Sequence, residues 1–113
     1  MRVSVVCKGN PISERLREYF YQRVNHALGR YSIHIRSLRA SLEDASNPSV
    51  GLQRSCSLEL DGDFGKRVIV VHDRSFESAI DCSLAVCSEV IERALSRANS
   101  EMFAIVTQNK LAS

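Results

Sequence analysis

Residues 75–98, SFESAIDCSLAVCSEVIERALSRA, restrict the fold more than any other stretch. Phe76, Ile80, Leu84, Cys87, Ile91, Ala94 and Ala98 recur at helical spacing, and Ser83 and Val90 close the stripe. Ser75 offers a side-chain oxygen to the first unpaired amides, and Glu77 adds negative charge at the positive end of the helix dipole. Asp81, Glu89, Glu92, Arg93 and Ser96 fall on the opposite face. The expectation is a long helix that is apolar on one side only. Its stripe must be covered, and the segments ahead of it can supply a sheet.

Those segments alternate. In residues 2–8, Val3, Val5 and Cys7 share one side, while Arg2, Ser4, Val6 and Lys8 share the other. Gly9-Asn10-Pro11 ends this strand, and Ser13 is a good cap for a first helix over residues 13–30. Leu16, Phe20, Val24, Ala27, Leu28 and then Tyr31 face its core side. A second strand over 36–44 turns Leu38, Ala40 and Leu42 inward and Arg39, Ser41 and Glu43 outward. Residues 45–51 (ASNPSVG) read as a loop. A third strand over 53–61 turns Cys56, Leu58 and Leu60 inward. A turn over 61–65 then leads to a fourth strand, 66–72, whose Val68-Ile69-Val70-Val71 run is too uniformly apolar to phase.

The expected fold class is α+β in the order β-α-β-β-β-α, with a four-stranded mixed sheet and both helices packed on one face. Residues 1–98 form the expected domain, and 99–113 a C-terminal tail. For the tail, an edge strand, packing on a helix and docking on a second copy as a homodimer contact are all open.

The chain has 113 residues, 15 Lys/Arg and 13 Asp/Glu, ordinary values for one soluble domain. No apolar run reaches membrane-spanning length and the N-terminus is not a secretory leader, so a cytoplasmic protein with no membrane partner is expected. Cys7, Cys56, Cys82 and Cys87 form no CxxC and have no histidine at zinc-ligand spacing. Reduced, packed thiols are expected, with no metal and no cofactor. No nucleophile elbow, phosphate loop or HExxH is present, and His26, His34 and His72 are scattered. An enzyme is not expected, and no catalytic residue is assigned.

Charge is uneven along the chain. Residues 1–67 hold 11 Lys/Arg against 7 Asp/Glu, whereas 68–113 hold 4 against 6. Arg15, Tyr19, Arg23, His26 and Arg30 are spaced by four, four, three and four, which puts them along one flank of the first helix. Guanidinium groups with an interleaved aromatic suit phosphate contact and base stacking. Arg36 and Arg39 are expected to continue this positive region into the second strand, with Lys66 and Arg67 joining from the far end of the meander; Arg17 lies on the other flank of the helix. Equally, such a flank can be ordinary solvated surface, its arginine stems covering the rim of the core.

Four pieces of the chain are similar to the ribosome hibernation-promoting factor and ribosome-associated inhibitor family. I-S-E-R-L-R-E-Y, from Ile12 to Tyr19, resembles the family's I-T-x-A-L-R-E-Y/F. Arg30-Tyr31, then Ile35 and L-R-A-S-L, resembles the turn into the family's second strand. L-E-D-x-x-N-P followed by Cys56 looks like short proteobacterial members. S-F-E-S-A-I-D, from Ser75, resembles D-M-Y-A-A-I-D. The likeness spans residues 1–98.

The resemblance implies a β-α-β-β-β-α fold that docks in the small ribosomal subunit. There it would occupy the channel used by messenger and transfer RNA and inhibit translation in idle, stressed cells. On that basis Arg15, Arg17, Tyr19, Arg23, Arg30, Arg36, Arg39, Lys66 and Arg67 are the expected rRNA contacts. Two departures matter. The second helix ends E-R-A-L-S-R-A-N-S, with only Arg93 and Arg97 where the family is rich in cations, so weaker docking is expected. The first helix is also one residue longer than the family pattern. The long form's dimerisation domain has no counterpart in residues 1–113, so ribosome pairing through it is not expected. The alternative is a divergent paralogue that keeps the fold and serves as a protein-interaction or self-association module without RNA binding.

Overall fold

The computed structural model describes the backbone of residues 1–47 and 51–112 and the side chains of 1–44 and 53–97. In chain order the elements are β1 (Arg2–Cys7), α1 (Glu14–Leu28), a 3-10 segment (Gly29–His34), β2 (Ile35–Asn47), β3 (Gly51–Gly62), β4 (Gly65–Asp73) and α2 (Phe76–Ala112). The four strands lie in the order β1-β2-β3-β4, with β1 parallel to β2 and the other two pairings antiparallel. This is the expected α+β arrangement.

Ser13 caps α1 by accepting the Leu16 amide at 3.2 Å, and Ser75 caps α2 by accepting that of Ser78 at 3.1 Å. The first helix stops at Leu28 and not at Arg30. The chain there tightens into the 3-10 segment, which turns Tyr31 and Ile35 into the core and leaves Ile33 exposed. From α1 come Phe20, Val24 and Leu28, and from α2 come Ile80, Leu84, Cys87 and Ile91. These meet Leu38, Ala40, Leu42, Cys56, Leu58, Leu60 and Ile69 of the sheet in one cluster. Ser83, a polar residue inside it, donates to the Ile80 carbonyl at 2.9 Å and lies 3.3 Å from Cys56 Sγ.

Pairing with β3 phases β4. Ile69 stands opposite Leu58 and points inward, while Val68 and Val70 are 68% and 54% exposed on the open face. Strands β2 and β3 extend closer together than expected, to Asn47 and from Gly51, and residues 48–50 of the expected loop lie outside the described residues. Helix α2 runs on to Ala112, so the backbone of the expected tail continues the helix and adds no strand. How the side chains of 99–113 dock lies outside the described residues.

The β2–β3 hairpin depends on a missing side chain. A Cβ at Gly62 would sit 2.3 Å from the His34 carbonyl oxygen, which accepts the Asp63 amide at 3.0 Å, and 2.9 Å from the Phe64 ring. Gly62→Ala is expected to lower stability by about 1–3 kcal/mol, read from the urea midpoint at unchanged m-value. An unchanged midpoint would show that the hairpin yields without strain.

All four cysteines are free. Burial pushes the Cys87 thiol up to about 12 and also raises Cys56. Both stay protonated and inert at neutral pH, as packed apolar groups would.

Candidate nucleic-acid interface

The two helices lie side by side, so one flank of each faces the other. On α1, Arg15, Tyr19, Gln22 and Arg23 line this groove; Glu77 and Asp81 oppose them from α2. Arg15, Glu18, Tyr19, Gln22 and Glu77 enclose a shallow cleft of about 280 Å³.

Asp81 dominates the groove. Its Oδ1 accepts Arg23 Nε at 2.8 Å, and its Oδ2 accepts the Tyr19 hydroxyl at 2.6 Å. The hydrogen bond to Asp81, and then burial, raises the Tyr19 hydroxyl above its ordinary pKa. Tyr19 and Arg23 are thus committed to a carboxylate of their own chain. The helical spacing of α2 alone puts Asp81 on its solvent side, opposite the apolar stripe. The neighbouring helix covers that flank, and so Asp81 is half-buried.

The other expected contacts separate into distinct places. Arg17 is exposed on α1 outside the groove. Arg30 leaves the helical row because α1 has already ended, and its guanidinium lies 4.9 Å from the Tyr31 ring centroid. Arg36 is held by Asp61, with Nη1 at 3.1 and 3.2 Å from the two carboxylate oxygens.

Arg39 does not extend the helix-side patch. It alternates with Leu38 and Ala40, whose side chains enter the core, and so projects from the far face of the sheet. There Arg39, Lys66 and Arg67 line a second shallow depression with Arg2, Ser4, Glu59 and Asp61. Arg67 lies at the β4 edge, its Nη1 donating to the Lys66 carbonyl at 3.1 Å. Arg15, Arg17, Arg30, Arg39, Lys66 and Arg67 have no carboxylate partner among the described residues.

Three cations outside the expected set are also placed. Arg54 sits 2.9 Å from Asp44 and over the Phe76 ring at 5.0 Å, near the start of both helices, although its Nε–H is not aimed at the carboxylate. On α2, Arg93 is paired with Glu89 one turn away. Arg2 is the cation that sequence reading passed over on the far face. Its alternation with Val3 and Val5 carried the signal.

No helix among the described residues is long and apolar enough to cross a membrane. No protein-family model matches the chain, and no curated protein matches it in sequence. Solved structures do. The N-terminal domain of Protein Y from Thermus thermophilus superposes with a TM-score of 0.65 at 13% identity, over 82% of this chain and 98% of that one. A ribosomal subunit interface protein from Coxiella burnetii superposes with a TM-score of 0.71 at 9% identity, over 85% and 99%. At these identities the likeness establishes a shared fold.

Proposed function

We propose that this protein is a cytoplasmic, non-enzymatic translation inhibitor of the hibernation type. It binds the rRNA of the small ribosomal subunit in the channel used by messenger and transfer RNA. The observation that carries the reading is the whole-domain likeness to the Thermus Protein Y domain and the Coxiella subunit interface protein. The placement of the free cations supports it. Arg15, Arg17 and Arg30 lie on the helical layer and Arg39 and Lys66 on the open sheet face, so both broad sides carry positive charge. Only one such side can touch a flat partner. A channel walled by RNA can engage both, and each phosphate met releases a counterion.

The test is co-sedimentation with purified small subunits across a salt series. Binding at low salt that weakens steadily as salt rises supports the reading. Protein left in the supernatant at every salt concentration rejects it.

A second reading has its own support. Asp81 neutralises Arg23 and ties up Tyr19, and Asp61 neutralises Arg36, as expected of a paralogue that kept the fold and gave up part of an RNA surface for protein interaction. In that case the helix-side arginines would be indifferent to ribosomes.

A further inference from the structure

The sheet has two edges, and they are finished differently. Strand β1 has six residues, and the Tyr21 hydroxyl donates to its Val3 carbonyl at 3.3 Å, closing part of that edge. Strand β4 has nine residues, GKRVIVVHD, with an unbroken β-branched centre. Among the described residues, its main chain takes one side-chain hydrogen bond, from its own Arg67 to the Lys66 carbonyl at the start of the strand, and none from Val68 to Asp73. Val68 and Val70 are exposed beside that edge. Val86, 38% exposed, lies on the flank of α2 turned away from α1 and therefore toward the same side of the molecule. A long, apolar, uncovered edge strand is a template for strand pairing.

We propose that β4 pairs antiparallel with β4 of a second copy of this chain, about a two-fold axis through Val70. The register follows from symmetry and charge. Residues directly opposite each other in an antiparallel pair point to the same face. Self-pairing about an axis perpendicular to the sheet must therefore be centred on a residue. A centre at Ile69 leaves Arg67 opposite Val71 and strands Asp73 against Gly65, while a centre at Val71 sets Asp73 against Ile69. A centre at Val70 sets Arg67 of each copy against Asp73 of the other.

Val70 then meets itself, Val68 meets His72, and Ile69 meets Val71. Arg54 is the cross-strand partner of Asp73 within the sheet, but its guanidinium is turned onto Asp44 and Phe76; Asp73 Oδ1 accepts the Arg74 amide at 2.7 Å, which leaves Oδ2 available. Lys66 comes opposite Arg74, just past the end of the strand, where both long side chains extend into water. The result is one continuous sheet with four strands from each copy, and all the helices on one side of it. The Val86 flanks of the two α2 helices face each other beneath the join.

This pairing does not depend on the ribosomal reading and is tested on purified full-length protein without RNA. Sedimentation equilibrium over a concentration range is expected to show a reversible monomer–dimer mixture. Arg67→Asp and Asp73→Arg each place like charges opposite one another twice per dimer, and each is expected to weaken dimerisation about tenfold. The double variant R67D/D73R restores opposite charges and is expected to recover the wild-type constant within about threefold. Both positions lie at the sheet edge, and unchanged thermal unfolding of the single variants confirms that they fold. A monomer at the highest soluble concentration overturns the proposal. So does a dimer indifferent to the charge swaps, which would place the contact elsewhere, the 99–113 segment included.

Discussion

Phe20→Ala is expected to lower the unfolding free energy by about 3–5 kcal/mol, a large share of the roughly 5–15 kcal/mol that holds a domain of this size together. Phe20 is fully buried and, among the described residues, is the only aromatic side chain with no exposure. It anchors α1 in the cluster shared with α2 and the sheet, and its ring meets Tyr21 edge to face at 5.8 Å. Tyr21 in turn reaches the Val3 carbonyl of β1. Truncation leaves a ring-sized void and loosens the register of α1, which carries Arg15, Arg17 and the Asp81 partners.

The measurement is a urea titration followed by far-UV circular dichroism, with Arg23→Ala as the comparison. The Arg23–Asp81 pair is about 40% exposed on each side (42% and 39%), so its loss is expected to cost below about 1 kcal/mol. Equal losses from the two substitutions would mean that the helix–helix groove, and not the apolar cluster, holds α1 in place.

The sequence and the structure agree where a local pattern decides the outcome. The stripe from Phe76 to Ile91, the alternation of Leu38, Ala40 and Leu42, and the Ser13 cap each follow from a single period or a single donor. They differ where two elements meet. A helical wheel for α2 alone sets Asp81 opposite the stripe; a second helix on that flank makes it the acceptor for Tyr19 and Arg23. The four-residue apolar run of β4 has no internal phase, and pairing Leu58 with Ile69 supplies it.

The row of arginines is shorter than its spacing suggests for a similar reason. Spacing of four holds only while the helix lasts, and the backbone departs from it at Leu28 (φ −120°, ψ −1°), two residues before Arg30. Arg39 points outward as its strand alternation predicts, but β1-α1-β2 connectivity puts the helix on the other face, so outward from β2 means away from Arg15. That these arginines are exposed was legible in the sequence. Which exposed residues share a face was not, because that depends on long-range packing.

Changing Arg15, Arg17 and Arg30 together to alanine is expected to weaken binding to small subunits by two to three decades at about 0.1 M salt, and to flatten the log–log salt dependence by about 2–3 units. The reasoning counts phosphates. Each of the three guanidinium groups lacks a carboxylate partner among the described residues, so its charge is available to RNA and its loss removes a full counterion-release contribution.

Arg23 differs in having a partner. Its charge is already met by Asp81, but Arg23→Ala bares that carboxylate, a net change of one charge, so binding at about 0.1 M salt is expected to weaken by about five- to tenfold. Asp81→Asn converts the same groove. The amide oxygen can still accept from Tyr19, but Arg23 is no longer neutralised, and binding at about 0.1 M salt is expected to tighten by about five- to tenfold. Opposite movements from the triple variant and from Asp81→Asn would identify the helical layer as the RNA-facing surface, with Asp81 as the residue that holds its affinity down. Subunit binding unmoved by either would transfer the RNA contact to the far face with Arg2, Arg39 and Lys66, while a chain that never binds subunits would leave the protein-interaction reading in its place.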